Sequence, residues 1–171
     1  MNGRPLRACG WVSMMTCASV ALASAPTAGS ETADQALNGT YQAVSNGDWA
    51  KTDGVYRDEV TVVSTWTIES SCSDPQTCTG TVTSDQGWTA DLKFQSQSWW
   101  LRRTLEAWQQ CPDGSTGTGH QLFRFYPIDR AEASPGSPIL AGEDTTTGDP
   151  GACGRGYPIE IRMPFRLTKL S

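Results

Sequence analysis

The stretch Ile159–Leu167, I-E-I-R-M-P-F-R-L, decides the fold. Ile159, Ile161, Met163, Phe165 and Leu167 fall on one side of it, and Glu160, Arg162 and Arg166 on the other. Alternation with period two marks a strand with one buried and one solvated face, as antiparallel sheets commonly show. The same period recurs upstream. Val60, Val62, Trp66 and Ile68 share a face against Thr61, Thr65, Thr67 and Glu69, and Trp88, Ala90, Leu92 and Phe94 alternate with Thr89, Asp91, Lys93 and Gln95. Shorter candidates lie at Thr40–Val44, Cys78–Thr83, Gln121–Tyr126 and Ile139–Asp144. Residues Ser98–Gln110 also suit a helix through Leu101, Leu105 and Trp108, but their place between two strands, after a turn at Gln95–Gln97, favours a strand. Turn chemistry at Asn46-Gly47-Asp48, Asp53-Gly54, Asp85-Gln86-Gly87, Pro112-Asp113-Gly114 and Ser134-Pro135-Gly136 separates the pieces. About eight strands in succession predict an all-β antiparallel meander closing into a barrel or half-open barrel, with a β-sandwich as the alternative.

The start of the chain reads as an export signal. MNGRPLR carries Arg4 and Arg7 and no acid, Ala8 to Ala25 is apolar, and Ala21-Leu22-Ala23 closes the run with small residues. These are the three parts of a cleavable signal peptide, expected over residues 1–23. The run falls short of the roughly 20 residues that span a bilayer, so no stable membrane span is expected after cleavage. Met14, Met15 and Thr16 ahead of Cys17 do not make a lipobox, and Arg4 and Arg7 are not adjacent as a twin-arginine signal requires. Residues 24–36, SAPTAGSETADQA, read as a flexible leader, and residues 37–171 as one domain. The expected location is secreted, either extracellular or in the cell envelope.

Signal removal takes away Cys9 and Cys17 and leaves Cys72, Cys78, Cys111 and Cys153. An even number in an oxidising compartment implies two disulfides. Cys72–Cys78 is favoured by the Asp74-Pro75 turn between them, and Cys111–Cys153 follows by elimination, although spacing alone leaves the other pairings open. The absence of a CxxC pair and the single histidine exclude a structural zinc site, and no cofactor is expected. Loss of Arg4 and Arg7 takes the formal charge from −5 to −7. So acidic a chain lacks the broad cationic surface that nucleic acid needs.

Few residues point to catalysis. His120 follows Gly117-Thr118-Gly119 in what reads as an exposed loop, and no GxSxG elbow accompanies it. A hydrolase using His120 stands as an alternative function. Glu143 and Asp144 are neighbours on a strand and face opposite sides, so they do not flank one glycosidic bond. The oxygen-rich run Gly142–Asp149 lacks the acid spacing of an EF-hand and reads as a solvated loop tied down by Cys153.

The aromatic residues are more informative. With Trp99, Leu101 and Leu105 on the inner face, Trp100 and Trp108 fall outside and Arg103 turns inward. An unpaired guanidinium inside a barrel is costly, so either a bulge shifts the register or Arg103 meets an acid or an anionic ligand. Arg103, Trp100 and Trp108 are therefore the candidate ligand contacts. Arg102, Arg124, Arg162 and Arg166 fall on outward faces of late strands and form a basic stripe, with Glu106 and Glu160 available as cross-strand partners.

The order GTYQAVSNGDWA, TWTIESSC, CTGTV, GW, WW, WQQCPDG, HQLFRFYP, GEDTTTGDPGACG and IRMPFRL resembles a family of small secreted mycobacterial proteins of unassigned function. Gly39-Thr40-Tyr41, Trp66 with Cys72 and Cys78, Cys111, and Cys153-Gly154 carry the resemblance. The same marks are distantly similar to the extracytoplasmic domains of some mycobacterial membrane Ser/Thr protein kinases. The resemblance implies a disulfide-stapled β module facing the envelope, and it transfers no catalytic residues. The opening Gly39–Tyr41 also resembles that of a lipocalin, with Tyr41 in place of the usual Trp, which implies a small-ligand carrier as a further alternative. The leading expectation is a non-enzymatic binding module whose partner is an envelope component or an extracellular protein.

Overall fold

The computed structural model describes residues 35–129, 132–133 and 136–171. The expected signal peptide and nearly all of the leader lie outside the described residues. The strands are β1 (Gly39–Ser45), β2 (Lys51–Thr52), β3 (Val55–Tyr56), β4 (Val62–Asp74), β5 (Thr77–Ser84), β6 (Thr89–Gln95), β7 (Ser98–Gln110), β8 (Thr116–Asp129), β9 (Glu132–Ala133), β10 (Ile139–Gly148) and β11 (Glu160–Lys169). Among the described residues there is no α-helix, only 3-10 turns at Gly47–Trp49 and Ala152–Gly154.

Eight strands pair antiparallel in the order β1-β4-β5-β6-β7-β8-β10-β11, and β11 returns to β1 with Tyr41 opposite Lys169 and Ser45 opposite Phe165. The sheet is therefore a closed barrel, as the meander led us to expect, and not a sandwich. Closure satisfies the backbone groups that a sandwich would leave on open edges. The small ribbon β2–β3 extends from β11, and β9 pairs with β8. Short turns make the neighbouring pairings local. Ser96 and Gln97 both adopt positive φ (50° and 59°), which matches the twist of a two-residue hairpin between β6 and β7.

Inward positions follow the period-two faces. Trp66 stands at the centre, with ring centroids of Trp88, Phe123, Phe125 and Phe165 at 5.5, 5.1, 6.3 and 5.2 Å. Ile68, Val82, Leu92, Trp99, Leu101, Leu140 and Leu167 complete a core with almost no exposed surface. Burying each large apolar side chain contributes about 2 kcal/mol. Aromatic packing occupies this interior. On β4 the predicted face is right, but its leading residues differ. Val60 lies ahead of the strand and is 82% exposed, and Val62 is 38% exposed at the rim, leaving Ser64, Trp66 and Ile68 inside.

Both disulfides pair as favoured. Cys72–Cys78 joins directly opposed positions at the end of the β4–β5 hairpin. Cys111–Cys153 ties the β7–β8 connection to the turn after β10. In the chain-entropy account, crosslinks separated by 6 and 42 residues contribute about 2 and about 4 kcal/mol.

Candidate functional site

Arg103 points into one end of the barrel. Its Nε donates to Gln121 Oε1 at 2.6 Å, and Gln121 Nε2 donates to both oxygens of Asp144 at 2.8 and 2.9 Å. Ser45 Oγ donates to Asp144 Oδ2 at 2.7 Å, and the Trp88 ring lies 4.2 Å beneath the guanidinium. The acid sought for Arg103 is thus Asp144, one glutamine away. Burial pushes the Asp144 carboxyl above its ordinary range, opposed by the Ser45 and Gln121 hydrogen bonds and by the Arg103 charge. Burial likewise lowers the Arg103 value, and the Asp144 charge opposes it. These groups line a cavity of about 20 Å³, space for roughly one water molecule. Arg103 therefore works in an internal polar network.

Asp144 changes the reading of Gly142–Asp149. β10 runs on to Gly148, and Asp144 is 1% exposed, so most of the expected loop is strand. Glu143 faces solvent from the opposite side, as the alternation required. An inward series could have been read from Gln121-x-Phe123-x-Phe125 and from Leu140-x-Gly142-x-Asp144. Two polar residues at core positions were the signal.

Trp100 lies on the outer face, half-buried, with Nε1 donating to Gln95 O at 3.1 Å. The Arg102 and Arg124 guanidiniums lie 5.6 and 5.0 Å from its ring centre. Neither takes part in an ion pair among the described residues, whereas Arg162 Nε donates to Glu160 Oε1 at 2.7 Å. That bond, the first cause, raises the Arg162 value. The basic stripe therefore divides. Arg162 is paired, while Arg102 and Arg124 rest on an indole and keep donors free.

Trp108 departs from the expected outward position. The β7–β8 register shifts between Leu105 and Gln109, with Ala107 at φ 53°. The shift turns the Trp108 indole onto the inward side of β8 and β10. A Cβ on Gly119 would meet the indole at 2.7 Å, and one on Gly148 at 3.4 Å, so these glycines make room for it. Trp108, Trp100 and Arg103 thus occupy three separate environments.

His120 lies on β8, not on a loop, because its stretch pairs with both β7 and β10. Its Nε2 is 2.8 Å from Asp149 Oδ1, and the two side chains are 58% and 47% exposed. Among the described residues no serine or threonine hydroxyl bonds His120, so the pair lacks a positioned nucleophile. No helix among the described residues is long and apolar enough to cross a membrane.

The architecture is that of a disulfide-braced, closed β-barrel with an aromatic core, a polar network around Asp144 inside it and the Trp100–Arg102–Arg124 cluster on its outer face. The solved monomer form of the PknI sensor domain from M. tuberculosis shares this fold, with a TM-score of 0.58 over 80% of this chain and 88% of that one. The two sequences are 18% identical, and the likeness is one of fold. It agrees with the similarity to kinase extracytoplasmic domains noted from the Cys, Trp and Gly positions. No protein-family model and no curated protein matches the chain.

Proposed function

We propose that this chain is a secreted, non-catalytic binding module of the mycobacterial envelope, which holds an anionic component on the outer face around Trp100. One observation carries the reading. On an acidic chain, Arg102 and Arg124 converge over one indole without a carboxylate partner among the described residues. Guanidiniums braced on an aromatic face keep their forked donors for phosphate or carboxylate. The fold shared with a sensor domain, and two disulfides that persist only under oxidising conditions, support an extracytoplasmic setting. The His120–Asp149 pair, open to water and without a nucleophile, supports a role other than hydrolysis. In this reading residues 1–23 are removed on export, 24–36 form a leader and 37–171 the working domain.

Co-sedimentation with vesicles containing phosphatidylinositol, and with an insoluble cell-wall preparation, tests the reading. Replacing both Arg102 and Arg124 by Gln is expected to weaken binding about tenfold or more. His120→Ala is expected to leave binding unchanged. Equal binding by the double variant would overturn the proposed face, and a hydrolytic activity lost with His120→Ala would overturn the non-catalytic assignment.

A further inference from the structure

The segment between β1 and β4 presents its aromatic residues outward. Trp49 and Tyr56 are 62% and 65% exposed, with ring centroids 6.4 Å apart and planes at 77°. Leaving two large rings in water has a cost, and here the backbone that carries them is firmly held. Ala50 is buried, Gly47 N donates to Thr61 Oγ1, and Glu59 N and Ala50 N both donate to Gly47 O. A Cβ on Gly47 would stand 2.0 Å from Glu59 O, so only glycine permits this close approach. Pairing of Lys51 with Arg162, and Thr52 with Ile161, fixes the ribbon to β11. The aromatic residues are thus displayed on a rigid mount.

Between this mount and the barrel wall runs an open groove of about 320 Å³, lined by Trp49, Tyr56, Lys51, Glu143, Arg162 and Pro164 among others. Lys51 Nζ lies 4.7 Å from the Tyr56 ring centre, whereas among the described residues no cation covers the Trp49 ring. Donors and an acceptor share the rim: the ammonium and guanidinium donate, and Glu143 accepts. This mixture discriminates between ligands. A sugar hydroxyl both donates and accepts, so neighbouring hydroxyls match both kinds of group while the C–H face of the ring covers the indole. An unbroken run of prolines, which also favours aromatic grooves, offers only carbonyl acceptors along its backbone and leaves Glu143 unmatched.

We propose that this groove binds an oligosaccharide, stacked on Trp49 and hydrogen-bonded by Lys51, Glu143 and Arg162. The site rests on the reading of the chain as a binding module, but not on the charge of the Trp100 cluster. The cross-strand row Trp100, Arg124, Glu143 and Pro164 joins the two sites, so an extended anionic glycan could cross both.

The oxidised protein is to be titrated with soluble hexa-N-acetylglucosamine, an arabino-oligosaccharide and a manno-oligosaccharide, following tryptophan fluorescence. Binding by at least one is expected, with affinity reduced about tenfold by Trp49→Ala and about fivefold by Glu143→Gln, and unchanged by Tyr157→Ala, an exposed ring that does not line the groove. Bound sugar is also expected to shield Trp49 from oxidation by N-bromosuccinimide in the unaltered protein, a readout independent of any variant's stability. No binding by the panel at ~10 mM overturns the proposal. So does binding of decaproline in place of sugar, or a Trp49→Ala effect confined to self-association in the ultracentrifuge. Loss of vesicle binding with Arg102 and Arg124 while sugar binding persists would uphold both sites; unchanged vesicle binding with sugar binding intact would overturn the Trp100 face alone, and vesicle binding lost with Arg102 and Arg124 in a protein that binds no sugar would overturn the groove alone.

Discussion

Asp144 is 1% exposed, and Ser45, Gln121 and Arg103 answer its charge. Its carboxyl is raised, chiefly by burial, so the folded protein holds this proton to higher pH than the unfolded chain does. Stability from this group therefore grows as pH falls through its folded value toward the ordinary carboxylate range. Asp74, lowered first by the Gln76 backbone N–H, and Asp113, lowered first by the Ser115 hydroxyl, act in the opposite sense. Their contribution is present above the ordinary range and is lost as pH falls through their folded values. Thermal unfolding across pH should show a rise on mild acidification and a fall below it. Asp144→Asn should flatten the rising arm, and an unchanged arm would remove Asp144 as its source. Arg103→Met should cost about 2 kcal/mol near neutrality, a value moderated by partial screening of this half-buried guanidinium. The cost should shrink as pH falls through the folded value of Asp144 and its charge is lost. A deficit independent of pH would mean that Arg103 contributes only its packing.

At the scale of elements, β7 carries the informative irregularity. Its first part obeys the alternation read from Trp99, Leu101 and Arg103, and the inward Arg103 was legible for that reason. Its second part was not, because the bulge falls at Glu106-Ala107, where no glycine announces it. Ala107 nevertheless holds φ 53°, a conformation that strains a residue with a Cβ. Ala107→Gly should stabilise the protein by about 0.5 kcal/mol once the added freedom of the unfolded chain is counted. That corresponds to a rise in Tm of about 1–2 °C, and a fall would show that the methyl group packs usefully. The strands β4, β6 and β11 were legible because one face is apolar and the other polar. His120 was misplaced on a loop because Gly-Thr-Gly has poor strand propensity, which pairing with β7 and β10 overrides. Strands β2 and β3, two residues each, are too short for periodicity to show, so Trp49 and Tyr56 passed unnoticed beside the Asp53-Gly54 turn.

For the molecule as a whole, a closing barrel could be foreseen from the number of strands, but the register of its closing seam could not. Closure depends on β1 meeting β11, a pairing between residues more than a hundred positions apart that no local pattern reports. The seam is well made. Thr40 N donates to Ser171 O at 3.1 Å, and Leu170 N donates to Thr40 O at 2.8 Å. Leu37 is buried beside it, its N–H bonded to Ser70 Oγ. The positions near Leu37 and Ser171 are thus neighbours in space, and the barrel is a ring whose numbering has an arbitrary origin. Joining residue 171 to residue 37 through a short Gly-Ser linker, and opening the chain within the exposed Asp85-Gln86-Gly87 turn, should give a circular permutant with the same two disulfides and a similar core. Near-UV circular dichroism and disulfide mapping of that permutant would show whether the order in which strands leave the ribosome matters to this fold; a permuted chain that scrambles its cysteines would mean that it does.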